Sequence, residues 1–294
     1  MKFEETLSND HLREFLNCCE ADFPNVMDHF IYGQSPYTLP KTLEMYIDKL
    51  DNNELITYER RKGFEEKFKG QLKPTYLDHS KLDEICKDHE TYDIEDCVLA
   101  ILAWGQIDAS INNFIPAWKS LNKPGIKSFL EDIRIGRNCN RKEIYQKFTD
   151  YRLSGELKGI NTPYFTKLIY FLMRGEAKGY ILDQFTAISA NLLLNQDIIN
   201  LTINKNKDKK KVSRKVDCKK NDAEVYEKYC EFIEDLAIYL DDHFREKLEE
   251  RDAKIEPKHA EIFIFYNNKD NPGWRSKVEE IQKKEDSDLL LKLD

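Results

Sequence analysis

Apolar side chains recur along this chain at helical spacing. Val225, Tyr226, Tyr229, Phe232, Ile233, Leu236, Ala237 and Leu240 fall three and four apart over 222–240, which sets them on one stripe of an amphipathic helix. Asn140 stands where an N-cap belongs, before a helix over 141–153 that turns Ile144, Phe148 and Tyr151 inward. Gly155 and Gly159 interrupt the pattern, and it resumes from Tyr164 to Met173. Residues 96–104 and 184–196 are apolar enough to be buried helices. Strand signals are few: Glu54–Tyr58 and Ile262–Tyr266 are the two short candidates. The expected class is mainly α.

Residues 141–174 spell helix, tight turn, helix. The turn is Leu157-Lys158-Gly159-Ile160-Asn161. Gly159 takes a positive φ without penalty, and Asn161 is among the residues that tolerate one best. Pro163 suits the first turn of the second helix. Such a hairpin offers backbone N–H groups at a helix start, a ready site for an anion. Lys167 and Phe171 follow one turn apart, so they share a face. Beyond Arg174-Gly175, the apolar Tyr180-Ile181-Leu182 leads to Asp183, which opens a further helix.

Composition narrows the classes. Sixteen Phe, fifteen Tyr and three Trp rule out a chain disordered throughout, and eleven Gly with nine Pro rule out a collagen-like one. The longest apolar run, Cys97 to Trp104, is far shorter than the roughly 20 residues that span a bilayer, and Met1-Lys2-Phe3-Glu4-Glu5 lacks the apolar heart of a signal peptide. Seven scattered cysteines include no Cys-x-x-Cys pair, and the six histidines show no metal spacing. Reduced thiols in a cytosol are expected, with no metal, no cofactor and no membrane.

The net charge of −8 at first argues against a nucleic-acid partner. Its distribution reverses that inference. Residues 116–220 hold 22 Lys and Arg against 10 Asp and Glu, which is +12 and leaves −20 for the rest. The densest basic stretch, 204–221, is almost free of apolar residues and is expected to be a solvated loop, either solubilising or an arm for a polyanion.

On these residues the chain resembles a family. Leu157-x-Gly159-Ile160-Asn161-Thr162, then Thr166-Lys167, then Ile181-Leu182-Asp183 is similar to the helix-hairpin-helix DNA glycosylases. Within them it is most like the 8-oxoguanine DNA glycosylases, including archaeal-type enzymes and a group of bacterial relatives. Ala103-Trp104-Gly105, Tyr226-x-x-Tyr229 and Glu261-x-Phe263-x-Phe265 add to the likeness. A second glycine usual in the turn is replaced here by Asn161. The resemblance implies a helix-hairpin-helix glycosylase-like fold over 91–270, with residues 1–90 as an N-terminal extension and 271–294 as a charged tail. It also implies that Lys167 is the nucleophile, that Asp183 is its acidic partner, and that double-stranded DNA bearing a damaged or modified base is the partner.

The chemistry asks for these residue types in its own right. A base inside a duplex must be flipped out before it can be excised. Gripping the backbone takes amides and positive charge, expected from Lys158, Gly159, Asn161, Thr162 and Thr166. Rupture of the N-glycosidic bond builds positive charge on the sugar, which Asp183 can stabilise. A neutral Lys167 amine can attack C1′. Phe171 can stack on a flipped base or pack in the core; Trp104, inside an apolar run, is a base-pocket candidate that equally reads as core, and Glu261 and Phe265 either line that pocket or pack. Three readings stay open at this level: repair of 8-oxoguanine, removal of a modified base from foreign DNA such as that of phage, and a DNA-binding hairpin without chemistry.

Overall fold

Helices form where the apolar stripes run. The computed structural model describes residues 10–32, 43–69, 79–105, 107, 113–137, 140–175, 178–206, 211–265 and 273–291. Among these, fourteen helices and one antiparallel pair of strands make a mainly α protein. None of the helices is long and apolar enough to cross a membrane. In chain order the helices are α1 (Asp10–Tyr32), α2 (Leu43–Asp51), α3 (Tyr58–Lys67), α4 (His79–Lys87), α5 (Ile94–Trp104), α6 (Phe114–Leu121), α7 (Pro124–Arg134), α8 (Arg141–Leu153), α9 (Thr162–Leu172) and α10 (Gln184–Leu194). Then come β1 (Leu201–Asn206), β2 (Lys211–Val216), α11 (Ala223–His243), α12 (Arg245–Glu249), α13 (Pro257–Phe265) and α14 (Trp274–Leu291). The chain divides into two compact units, Tyr32–Ile181 and Met1–Ile31 with Leu182–Asp294.

In the unit Tyr32–Ile181, α5 is the central post. Ile94 and every residue from Asp96 to Ala103 on it are buried, and it packs against α2, α4, α7 and α9. Its start is fixed by a capping box: Asp93 accepts from the Asp96 amide at 3.0 Å, and Asp96 accepts from the Asp93 amide at 2.8 Å. Arg134 reaches from α7 to the end of α4, donating to the carbonyls of Cys86 (2.9 Å), Asp88 (2.7 Å) and Tyr92 (2.6 Å). A buried cation thereby satisfies helix-end carbonyls that would otherwise lack partners.

In the other unit, α11 carries the predicted stripe, and Tyr226, Tyr229, Phe232, Ile233, Leu236, Ala237 and Leu240 are all buried. Trp274 of α14 is fully buried, edge-on to Phe15 of α1 with centroids 5.4 Å apart, and its indole N–H donates to Ser189 at 2.9 Å. Phe23 and Phe244 meet at 4.6 Å.

Three local expectations are corrected. Glu54 lies in a turn at φ 55, and Tyr58 opens α3, because Thr57 caps the Arg60 amide at 3.2 Å. The second strand candidate is helix α13, with Phe263 and Ile264 buried; Tyr266 lies outside the described residues. The basic stretch 204–221 was expected as a loop. Its two ends instead pair as β1 and β2, in a register that sets Leu201 against Val216 and Ile203 against Arg214. Arg214 is buried and paired to Glu285 (2.9 Å) and Asp286 of α14. Asn200 and Asn221 clasp the base of the hairpin through 2.7 and 2.8 Å bonds. β-branched Ile203, Val212 and Val216 alternate with polar residues there, a pattern the lysines conceal. The charged 271–294 segment contains α14, held by buried Trp274 and Val278.

Candidate active site

The hairpin predicted from sequence joins α8 to α9. Asn140 caps α8 by accepting from the Glu143 amide at 3.1 Å. Leu157 and Ile160 bury on either side of the turn. Gly159 sits at φ 73, and its backbone lies directly on the start of α6. A Cβ there would fall 2.8 Å from the Ala117 nitrogen and closer still to the Asn113 carbonyl oxygen. The Ser120 hydroxyl accepts from the Lys158 N–H (3.2 Å) and donates to the Lys158 carbonyl (3.0 Å). The turn is thus pinned to α6 by backbone contact.

Asn161 corrects one expectation: it is extended, at φ −103 and ψ 172, so the turn needs a left-handed residue only at Gly159. Its side-chain oxygen accepts from Arg152 at 3.1 Å rather than capping α9. Lys158 and Asn161 are exposed. Thr162 and Thr166 are buried, and the Thr166 hydroxyl bonds the Thr162 carbonyl at 2.8 Å. Their side chains belong to the interior of α9.

Lys167 is half-buried on α9. Its arm runs back toward the helix start, as side chains on helices do. The ammonium lies 3.4 Å from the Pro163 carbonyl and 5.4 Å from the Tyr164 ring centroid. Midway, the arm crosses the end of α5 at Gly105, where a Cβ would stand 3.0 Å from its Cδ. One turn on, Phe171 is fully buried, ringed by Trp104 (5.0 Å), Tyr170 (4.9 Å) and His79 (5.1 Å), and His79 Nε2 meets the Tyr170 hydroxyl at 2.8 Å. Phe171 has no exposed surface. Trp104, which packs edge-on against it, is half-exposed.

In the other unit, Asp183 caps α10. Its Oδ1 accepts from the amides of Phe185 (2.7 Å) and Thr186 (3.1 Å), while the Thr186 hydroxyl accepts from the Asp183 amide at 2.9 Å. Tyr229, fully buried, reaches this cap through Thr186, and Glu261, buried on α13, acts on Tyr229; Phe265 is half-buried at the end of α13. Burial pushes the Tyr229 hydroxyl well above its usual range, and the Glu261 carboxylate adds to that. A hydrogen bond with Thr186 works the other way.

Sequence reading missed Gly105 and Tyr164 around Lys167, His79 and Tyr170 around Phe171, and Thr186 and Tyr229 around Asp183. Only Gly105 and Tyr229 stood in motifs that could have flagged them. The cavity of about 310 Å³ lined by Asp241, Arg245, Leu248, Glu249, Asp252, Ala253 and Lys254 contains none of the expected site residues.

The family model described as "Putative 8-oxoguanine DNA glycosylase OGG-like protein" matches residues 58–265, more than two thirds of the chain. No curated protein matches, and no solved structure matches.

Proposed function

The chain belongs to the 8-oxoguanine DNA glycosylase OGG-like family, and from that premise we propose that it excises a damaged or modified base, 8-oxoguanine first, from double-stranded DNA. The observation that carries this reading is Lys167. It is a half-buried amine on the second hairpin helix, beside the half-exposed Trp104 and over a glycine. The domain assigned to the reaction is 91–270.

The target nucleotide leaves the stack and its backbone is held by the hairpin amides and Lys158. Trp104 stacks on the extruded base. The neutral Lys167 amine forms a bond to C1′ as the glycosidic C1′–N bond breaks. That electron pair departs with the base, which takes up a proton. Asp183 stabilises the positive charge on the sugar as it develops. One proton of the resulting ammonium passes to the ring oxygen as the C1′–O4′ bond breaks, which leaves a protonated Schiff base. β-Elimination then takes a proton from C2′ and expels the 3′ phosphate. No cofactor enters these steps.

Borohydride reduction of the Schiff base on an 8-oxoguanine duplex tests the scheme. The wild-type chain should give a covalent adduct that Lys167→Ala does not, and Asp183→Asn should slow its formation. No adduct with the wild type, or an equal one with Lys167→Ala, sinks the lysine mechanism. A panel of lesions run beside it decides the base, and preference for a bulky modified base would move the reading to foreign DNA.

A further inference from the structure

Gly105 ends α5 at φ −69 and ψ −3, an ordinary right-handed helical conformation open to any residue. Alanine there would favour the helix, since glycine loses more conformational freedom on folding. Backbone geometry therefore gives no reason for glycine. Space does: a Cβ at this position would lie 3.0 Å from Lys167 Cδ and 3.5 Å from Cε. The first distance is tighter than ordinary van der Waals contact. The Lys167 arm passes through the volume that a side chain at 105 would fill, between the last turn of α5 and the Tyr164 ring that faces its ammonium at 5.4 Å.

We infer that Gly105 is a positioning residue for the Lys167 amine, its missing side chain forming the groove in which the arm lies. The inference rests on the reading of Lys167 as nucleophile. It explains the last residue of Ala103-Trp104-Gly105: Trp104 offers a stacking face, and the next residue clears the path of the attacking amine. A methyl group at 105 displaces the arm by several tenths of an ångström at Cδ, and the shift carries to Nζ. Attack at C1′ needs the amine within a near-attack distance, and a misplacement of about 1 Å can lower a rate on the order of 100-fold.

Gly105→Ala, Lys167→Ala and the double variant of the full chain test this, using an 8-oxoguanine duplex. Gly105→Ala should lower the single-turnover excision rate about tenfold and slow borohydride trapping to match, with duplex affinity within about twofold of wild type. It should also lower the melting temperature by about 2 °C or more in the wild-type background, and by much less when Lys167 is already alanine, because the atoms it collides with are gone. Unchanged rate and melting temperature in Gly105→Ala overturn the inference, as does an equal melting loss in both backgrounds. If the wild type gives no adduct at all, the reading of Lys167 as nucleophile fails, while the melting cycle still reports whether Gly105 and Lys167 share that space.

Discussion

The two ends of α5 are built on opposite plans. At its start, three carboxylates are answered by three cations. Arg60 forks onto Asp93 through two 2.8 Å bonds and reaches Asp96 at 3.2 Å. Lys67 holds Asp96 at 2.6 Å, and Lys127 holds Glu95 at 2.5 Å. Negative charge at a helix N-terminus also meets the favourable end of the helix dipole. About 15 Å along the axis, the other end has no basic residue in its last turn. There Trp104 is half-exposed, Gly105 leaves a groove, and the amine of Lys167 reaches in from α9. One end is neutralised and closed by mutual pairing. The other is held in shape by packing, through Phe171 and its ring of aromatics, with the Lys167 arm lying beside Gly105. The acidic network of this unit thus lies at the far end of a buried helix from the candidate nucleophile.

If that division of labour is right, changes at the two ends should separate chemistry from stability. The largest effect is expected from Lys167→Ala: loss of excision by roughly 10³-fold or more at nearly wild-type stability, read by single-turnover kinetics beside a urea melt. Asp96→Ala should do the reverse. Its side chain is fully buried, and its removal takes away the 2.6 Å partner of Lys67 and one of the carboxylates that hold Arg60. A cost of about 3 kcal/mol in unfolding free energy follows from breaking such a pair, with the excision rate of the folded protein little changed. Comparable loss of activity in both variants would mean that the two ends are not independent.

Sequence carried the helices of this molecule better than its contacts. The helix over 141–153, the turn at Gly159, the cap at Asp183 and the stripe of α11 were legible because each depends on spacing within a dozen residues. The hairpin of β1 and β2 was hidden because its lysines outweighed a short β-branched alternation. Ile262 to Phe265 fits a strand as well as a helix when only four residues are considered, and packing against α11 decides for the helix. For the candidate site, Lys167 and Asp183 could be chosen from motif and chemistry. That Phe171 is sealed and Trp104 open could not, since it depends on His79 and Tyr170 arriving from elsewhere in the chain. Gly105 is the instructive case. Its residue type stood in a motif, but its reason is a side chain more than sixty positions away.

A smaller effect should sharpen the assignment of the open end. Trp104→Ala removes the proposed stacking face, and base–aromatic stacking contributes roughly 1–3 kcal/mol. Excision of 8-oxoguanine should fall about tenfold or more, mainly through weaker capture of the flipped base, which quenching of a fluorescent base analogue at the target position can follow. An equal loss of stability would assign Trp104 to the core beside Phe171 instead.

The smallest expected effect is a pH signature confined to the closed end. Asp93 and Asp96 share partners yet shift in opposite directions. Burial works to raise Asp93, but the Arg60 bond, the Asp96 amide and Lys67 together hold it below the ordinary value of 3.8. Its stabilising contribution is therefore present above 3.8 and lost as pH falls through its folded value. For Asp96, burial dominates, with the Asp93 charge acting in the same direction, and the carboxyl is raised despite the Lys67 bond. The native state then takes up this proton before the unfolded chain does, so acidification toward 3.8 adds stability at Asp96. Melting temperatures followed from neutral pH to about pH 3 should show a shallower acid loss in Asp93→Asn and a steeper one in Asp96→Asn. Because Asp93 is partly exposed and screened, each change should stay within about 1 kcal/mol. Lys167→Ala should leave the acid limb where it is. If Asp96→Asn instead flattens the limb, its carboxyl is held charged by Lys67 and Arg60, and the closed end of α5 is a stronger ion-pair site than its burial suggests.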